Sequence, residues 1–138
     1  MTKEVWINLP VKDLARSRTF FSAIGFTIDQ SAGNPATMVS LLLGSKPVRV
    51  ILFEESVFKS FTSHTVTDTK QSNEVLISFD AENREEVDAL ADAVVKAGGA
   101  LYGKPSDVQG WMYGFGFTDP DGHRWNALYM DMTKMKKG

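Results

Sequence analysis

The sequence predicts an α+β fold made of two βαβββ modules in tandem. Three observations predict it. Val5, Ile7 and Leu9 alternate with Trp6 and Asn8, and Val75, Ile77 and Phe79 alternate with Leu76 and Ser78, 70 positions later. A helical pattern follows each of these strands. Short strand-like runs parted by turn signals follow each helix. Internal self-similarity of this kind is the first thing to look for in a chain.

The opening alternations, rich in β-branched and aromatic residues, read as half-buried strands. In the first half, Asp13 is the expected N-cap of a helix whose Leu14, Ser17, Phe21 and Ile24 share a face, and Gly25 ends it. In the second half Asn83 is the expected N-cap, with Glu86 three residues on as a variant capping box. Val87, Leu90, Ala91, Val94 and Val95 then fall at helical spacing and form one apolar stripe, closed by Gly98-Gly99.

The first half continues with strands at Thr37–Leu43 and Val48–Phe53, parted by Gly44-Ser45-Lys46-Pro47. The second half continues at Trp111–Thr118 and Arg124–Met130, parted by Asp119-Pro120-Asp121-Gly122, which suits a hairpin loop. Segments near Phe26–Asp29 and Ala100–Tyr102 supply one further strand per half. The polar stretch Ser60–Asn73 is expected to be a solvated connector, and the tail Lys134–Gly138 to be mobile. The organisation is therefore one domain over 1–138, with modules at about 3–59 and 74–132 joined by a linker at about 60–73.

Composition narrows the function. The 138 residues are 43% hydrophobic and 23% charged, as in ordinary globular proteins. No cysteine is present, which excludes disulfides, thiolate zinc sites, iron–sulfur clusters and a cysteine nucleophile. The net charge of −2 argues against a nucleic-acid binder. No apolar run approaches the ~18 residues of a membrane span, and no export signal opens the chain, so a cytoplasmic location is expected. With only His64 and His123, a site of three imidazoles is impossible within one chain.

Two segments carry a family resemblance. "INLPVKDLARSRTFFSAIGF" (Ile7–Phe26) resembles the opening of vicinal oxygen chelate proteins, the glyoxalase/bleomycin-resistance/dioxygenase superfamily. There a strand ends in Asp-Leu, and a helix with Ser and paired aromatics leads to Gly-Phe. "FTDPDGHRWNALYM" (Phe117–Met130) is similar to that superfamily's closing hairpin. The chain looks closest to the bacterial subgroup called predicted lactoylglutathione lyases. The resemblance implies a curved mixed sheet around a concave pocket, helices on the convex side, and a homodimer. It also implies, in metal-using members, one ligand on the first and last strand of each module.

Carried over by position, those four places fall on Trp6, Leu52, Leu76 and Asn126. Tryptophan and leucine cannot coordinate a cation, and a neutral amide is a weak ligand for zinc, nickel or iron. A shift of two residues brings Asn8, Glu54 and Glu74 into consideration, an oxygen set tolerable for magnesium or calcium. The alternation places an apolar helix-covered face on Val5, Ile7 and Leu9. It places a pocket on Trp6, Asn8, Leu52, Leu76, Ser78 and Asn126, mostly apolar with a few polar groups. Trp111 and Tyr113 join it as an aromatic wall; the alternative is that Trp111, Tyr113, Phe115 and Phe117 are core and the intervening glycines fit a bend.

Three functions follow as expectations. The first is a metal-free protein, with no cofactor, that binds a small apolar or aromatic ligand. The second is a glyoxalase-like lyase or isomerase using a divalent metal. The third is a structural or interaction protein with a filled pocket. No nucleic-acid or membrane partner is expected.

Overall fold

The computed structural model describes residues 1–31 and 33–134. Of the tail expected to be mobile, residues 135–138 lie outside the described residues. The chain divides into two compact units, one ending at Ser72 and the other beginning at Asn73.

The first unit comprises β1 (Trp6–Val11), α1 (Leu14–Ala23), β2 (Thr27–Ile28), β3 (Met38–Leu43), β4 (Val48–Glu54) and α2 (Glu55–Thr62). Its sheet has the order β1-β4-β3-β2, with β1 parallel to β4 and the other pairs antiparallel. Asp13 caps α1 as expected, its carboxylate accepting from the Arg16 N–H. Leu14, Ser17, Phe21 and Ile24 are buried as the spacing predicts, with Phe20 beside them. Partners in a ladder project to the same face, so Leu9 and Val11 of β1, Val39 and Leu41 of β3, and Val50 and Leu52 of β4 share the buried face.

The second unit comprises β5 (Leu76–Asp80), α3 (Arg84–Lys96), β6 (Ala100–Val108), β7 (Met112–Thr118) and β8 (Arg124–Met130). Its order is β5-β8-β7-β6, the same permutation as in the first unit. Asn83 caps α3, accepting from the Glu86 N–H. The Glu86 carboxylate reaches back to the Glu82 N–H, one residue beyond the usual capping-box partner. Val87, Ala91 and Val94 of α3 and Phe115, Phe117, Trp125 and Ala127 of the sheet are buried. The rings of Phe117 and Trp125 stack with centroids 6.2 Å apart.

Three expectations need correction. Ser60–Asn73 is not wholly a connector, because α2 runs into it as far as Thr62. Val5 and Ile7 are exposed rather than core, since β1 begins at Trp6 and only Leu9 and Val11 lie deep enough to be covered. Val95 is exposed at the edge of the α3 stripe. None of the described helices is long and apolar enough to cross a membrane.

Candidate functional site

The sheet faces opposite α1 and α3 are where a ligand could sit, and each is described in turn. On the first, register places Trp6 beside Arg49, Asn8 beside Ile51, and Pro10 beside Phe53. The adjoining strand adds Met38, Ser40 and Leu42. The face is mixed apolar and polar, as a ligand-contacting surface is. At one end the α2 residue Phe61 meets Phe53 edge to face, with ring centroids 5.0 Å apart. At the other end Trp6 is 51% exposed.

Leu52 does not belong to this face. It pairs with Leu9 and is fully buried on the opposite side, so Ile51 occupies the place expected for it. Val50-Ile51-Leu52 is apolar on both faces, which erases the alternation that would have fixed the parity. Glu54 likewise pairs with Val11 rather than projecting beside Asn8, and Glu74 is exposed ahead of β5.

Arg49, which the sequence reading passed over, carries the charge of this face. Its Nη1 donates to Asp29 Oδ2 at 2.7 Å and to Ser40 Oγ at 3.0 Å. Asp29 Oδ1 accepts from the Ser31 hydroxyl and N–H. The Ser31 hydroxyl and then Arg49 hold the Asp29 carboxyl down to about 2, so it is ionised at neutral pH. Asn8 Oδ1 is buried and has no hydrogen-bond partner among the described residues.

The second face carries Leu76, Ser78 and Asn126, as expected. Leu76 pairs with Arg124 and Ser78 with Asn126. Tyr102 joins them from a register shift in β6 between Leu101 and Gly103. Its hydroxyl lies 2.6 Å from Asn126 Oδ1 and 3.2 Å from the Trp125 carbonyl oxygen, and its ring lies under the Arg124 guanidinium at 4.4 Å. Burial pushes the phenol above its ordinary value, against the pull of Arg124, so it is a donor at neutral pH. The single proton serves the nearer Asn126 oxygen, and the Asn126 amide N–H groups make no bond to the described residues.

The glycines of β7 make this possible. Gly116 pairs with Asn126, and a Cβ there would fall within the Tyr102 ring. A Cβ at Gly114 would meet the Ala127 carbonyl and Leu128. The close approach inferred from these glycines is thus made by the chain's own side chains and backbone.

Trp111 and Tyr113 do not join the Asn126 group. Trp111 lies in the turn before β7, its Nε1 donating to Gln109 Oε1. Tyr113 pairs with Tyr129 on the face covered by α3, where its hydroxyl donates to Asp88 and Arg84 sits over its ring. His64 is exposed, and His123 is buried in the β7–β8 turn. There the Asp119 carboxylate accepts from the Asp121 and His123 N–H groups and from Trp125 Nε1. Burial raises the Asp119 carboxyl, with His123 pulling against it.

The four strand positions that the resemblance assigns to metal ligands, with Ile51 in place of Leu52, offer one oxygen among them, and Tyr102 already bonds to it. These residues do not fit a divalent transition metal, which takes imidazole, carboxylate or thiolate donors. Among the described residues, no three His, Asp or Glu side chains converge.

Comparison with known proteins agrees with the fold. The model of the Glyoxalase/Bleomycin resistance protein/Dioxygenase superfamily matches residues 5–127. Among solved structures, the chain is similar to hypothetical protein SA1046 from S. aureus, with 39% identity, 94% of each chain covered and a TM-score of 0.82. A glyoxalase-related enzyme from Fulvimarina pelagi shares 19% identity over 94% of this chain and 88% of its own, with a TM-score of 0.78. The fosfomycin resistance protein FosX of Listeria monocytogenes, solved with Mn(II) and sulfate, shares 20% over 96% and 93%, with a TM-score of 0.66. No curated protein matches. The family model spans both βαβββ units, and this chain belongs to the Glyoxalase/Bleomycin resistance protein/Dioxygenase superfamily.

Proposed function

We propose that this chain is a metal-independent member of its superfamily that binds a small apolar or aromatic molecule carrying a hydrogen-bonding group. One observation carries the reading. Where metal-using relatives are expected to place their chelate, this chain has Trp6, Ile51, Leu76 and Asn126, and the Asn126 oxygen is engaged by Tyr102. On the first sheet face these residues offer apolar contact area, and on the second the Asn126 amide adds hydrogen-bond donors, in place of a cation's charge. The exposure of Trp6 and Leu76, 51% and 52%, supports it, because a filled core would cover them.

A thermal-shift screen of metal-stripped protein against small apolar and aromatic compounds tests the proposal. Hits that persist in the presence of a chelator support it. Hits that all require added metal overturn it, as does a broad library with no hit.

A further inference from the structure

The Arg49 cluster is built more elaborately than a strand-to-strand tie requires, and it lies wholly within the first unit. Both Nη1 protons are committed, one to Asp29 and one to Ser40. No bond from Nε or Nη2 is made to the described residues, and the side chain is 38% exposed. The free Nε–Nη2 edge presents two parallel N–H groups, the geometry that grips a carboxylate through both oxygens. Asp29 and Ser40 fix the opposite side of the guanidinium, so little freedom is left to lose when that edge is occupied. We infer that Arg49 is an anion-recognition residue, and that the ligand of the first sheet face is a planar aromatic monocarboxylate.

Each part of that description has a residue behind it. The free fork matches the two oxygens of one carboxylate, and the ionised Asp29 beside it disfavours a ligand with a second negative charge, such as a phosphate ester. The ring has an aromatic partner in Trp6, which is half exposed and directly beside Arg49 in the register. Leu42, half-buried, continues an apolar surface on the same face, over the buried Ile51. Two positions along β1 from Trp6, Asn8 Oδ1 is a buried acceptor without a donor among the described residues. A ligand N–H or O–H reaching that oxygen would supply the missing donor. The inference rests on the binding reading above and sharpens it from a hydrogen-bonding group to a charged one.

The test is calorimetric titration of the full chain, metal-stripped, with indole-3-carboxylate and 1-naphthoate, each against its primary amide. The expected result is binding of the carboxylates at least about tenfold tighter than the amides, as one charge-assisted bidentate contact gives. Arg49→Gln should abolish the preference, so that carboxylate and amide bind equally. Arg49→Lys keeps the charge without the fork and should retain only part of the preference; it also serves if the glutamine variant does not fold. Equal affinity for acid and amide, or a preference that survives Arg49→Gln, overturns the inference while leaving the binding reading in place. Absence of binding by either carboxylate also overturns it, whereas the binding reading fails only if the broad screen is empty.

Discussion

Tyr102 reaches Asn126 across the bare backbone of Gly116, closing a 2.6 Å hydrogen bond on the open face of the second sheet. The glycine, the phenol and the amide form one unit. Gly116→Ala should displace the ring and cost about 1–3 kcal/mol, the usual range for overpacking. In a Tyr102→Ala background the same substitution should cost much less, because the obstructed ring is gone. Denaturant unfolding of the four proteins in a double-mutant cycle measures that coupling.

Asp119 should matter for the stability of the β7–β8 hairpin. Its carboxylate serves two backbone N–H groups and the indole N–H of the fully buried Trp125. Asp119→Ala orphans that indole donor, and a buried unsatisfied donor costs about 1–3 kcal/mol. Urea unfolding monitored by fluorescence should show the loss.

Asp29 gives the chain an acid-sensitive contact. Its folded pKa, about 2, lies below the ordinary 3.8. A depressed carboxyl stabilises the fold above the ordinary value, and that stability is lost as pH falls through the folded one. The Asp29 contribution should therefore fade between about pH 4 and pH 2, and Asp29→Asn should flatten the stability profile there. Chemical denaturation of both proteins across that range provides the check.

Trp6→Ala should leave the fold intact. Its side chain is half exposed, and the buried face of β1 is formed by Leu9 and Val11. The expected cost is well below the ~3–5 kcal/mol of deleting a buried large aromatic. Unfolding of the mutant beside wild type tests it; a loss in that range would mean that Trp6 is core and the first face is not a ligand surface.

How much of this the sequence carried depended on how one-sided each element is. The caps at Asp13 and Asn83 and the buried faces of α1 and α3 were legible because side chain and position agree. The parity of β1 and β5 was legible from alternation, which put Trp6 with Asn8 and Ser78 with Asn126. In β4 the run Val50-Ile51-Leu52 is apolar on both faces, so Leu52 was assigned to the wrong one. Helix α2 was missed because Glu54 gives it no side-chain cap bond and its charged start follows directly on a strand. Arg49 shares parity with Ile51 and Phe53, a signal that was present. Its partner Asp29 is 20 residues away, and no spacing rule links them. Tyr102 reaches Asn126 from an irregular stretch of β6, where strand periodicity no longer tells which face a residue takes.

Lactoylglutathione lyase activity should be absent. That reaction needs a metal to polarise the substrate oxygens and a base to move a proton. Among the described residues no three His, Asp or Glu side chains converge to hold that metal, and the carboxylate beside Arg49, Asp29, is held by Arg49 and Ser31. Assay with the methylglyoxal–glutathione hemithioacetal, with nickel or zinc supplied, should give no more than the uncatalysed rate.

Metal affinity tests the central claim most directly. Untagged protein, stripped with a chelator, is titrated calorimetrically with zinc, nickel, cobalt and manganese. The account predicts no stoichiometric site, because Trp6, Ile51 and Leu76 have no oxygen or imidazole to give and Tyr102 holds the Asn126 oxygen. A site of one metal per chain with submicromolar affinity, abolished by Asn126→Ala, would contradict it.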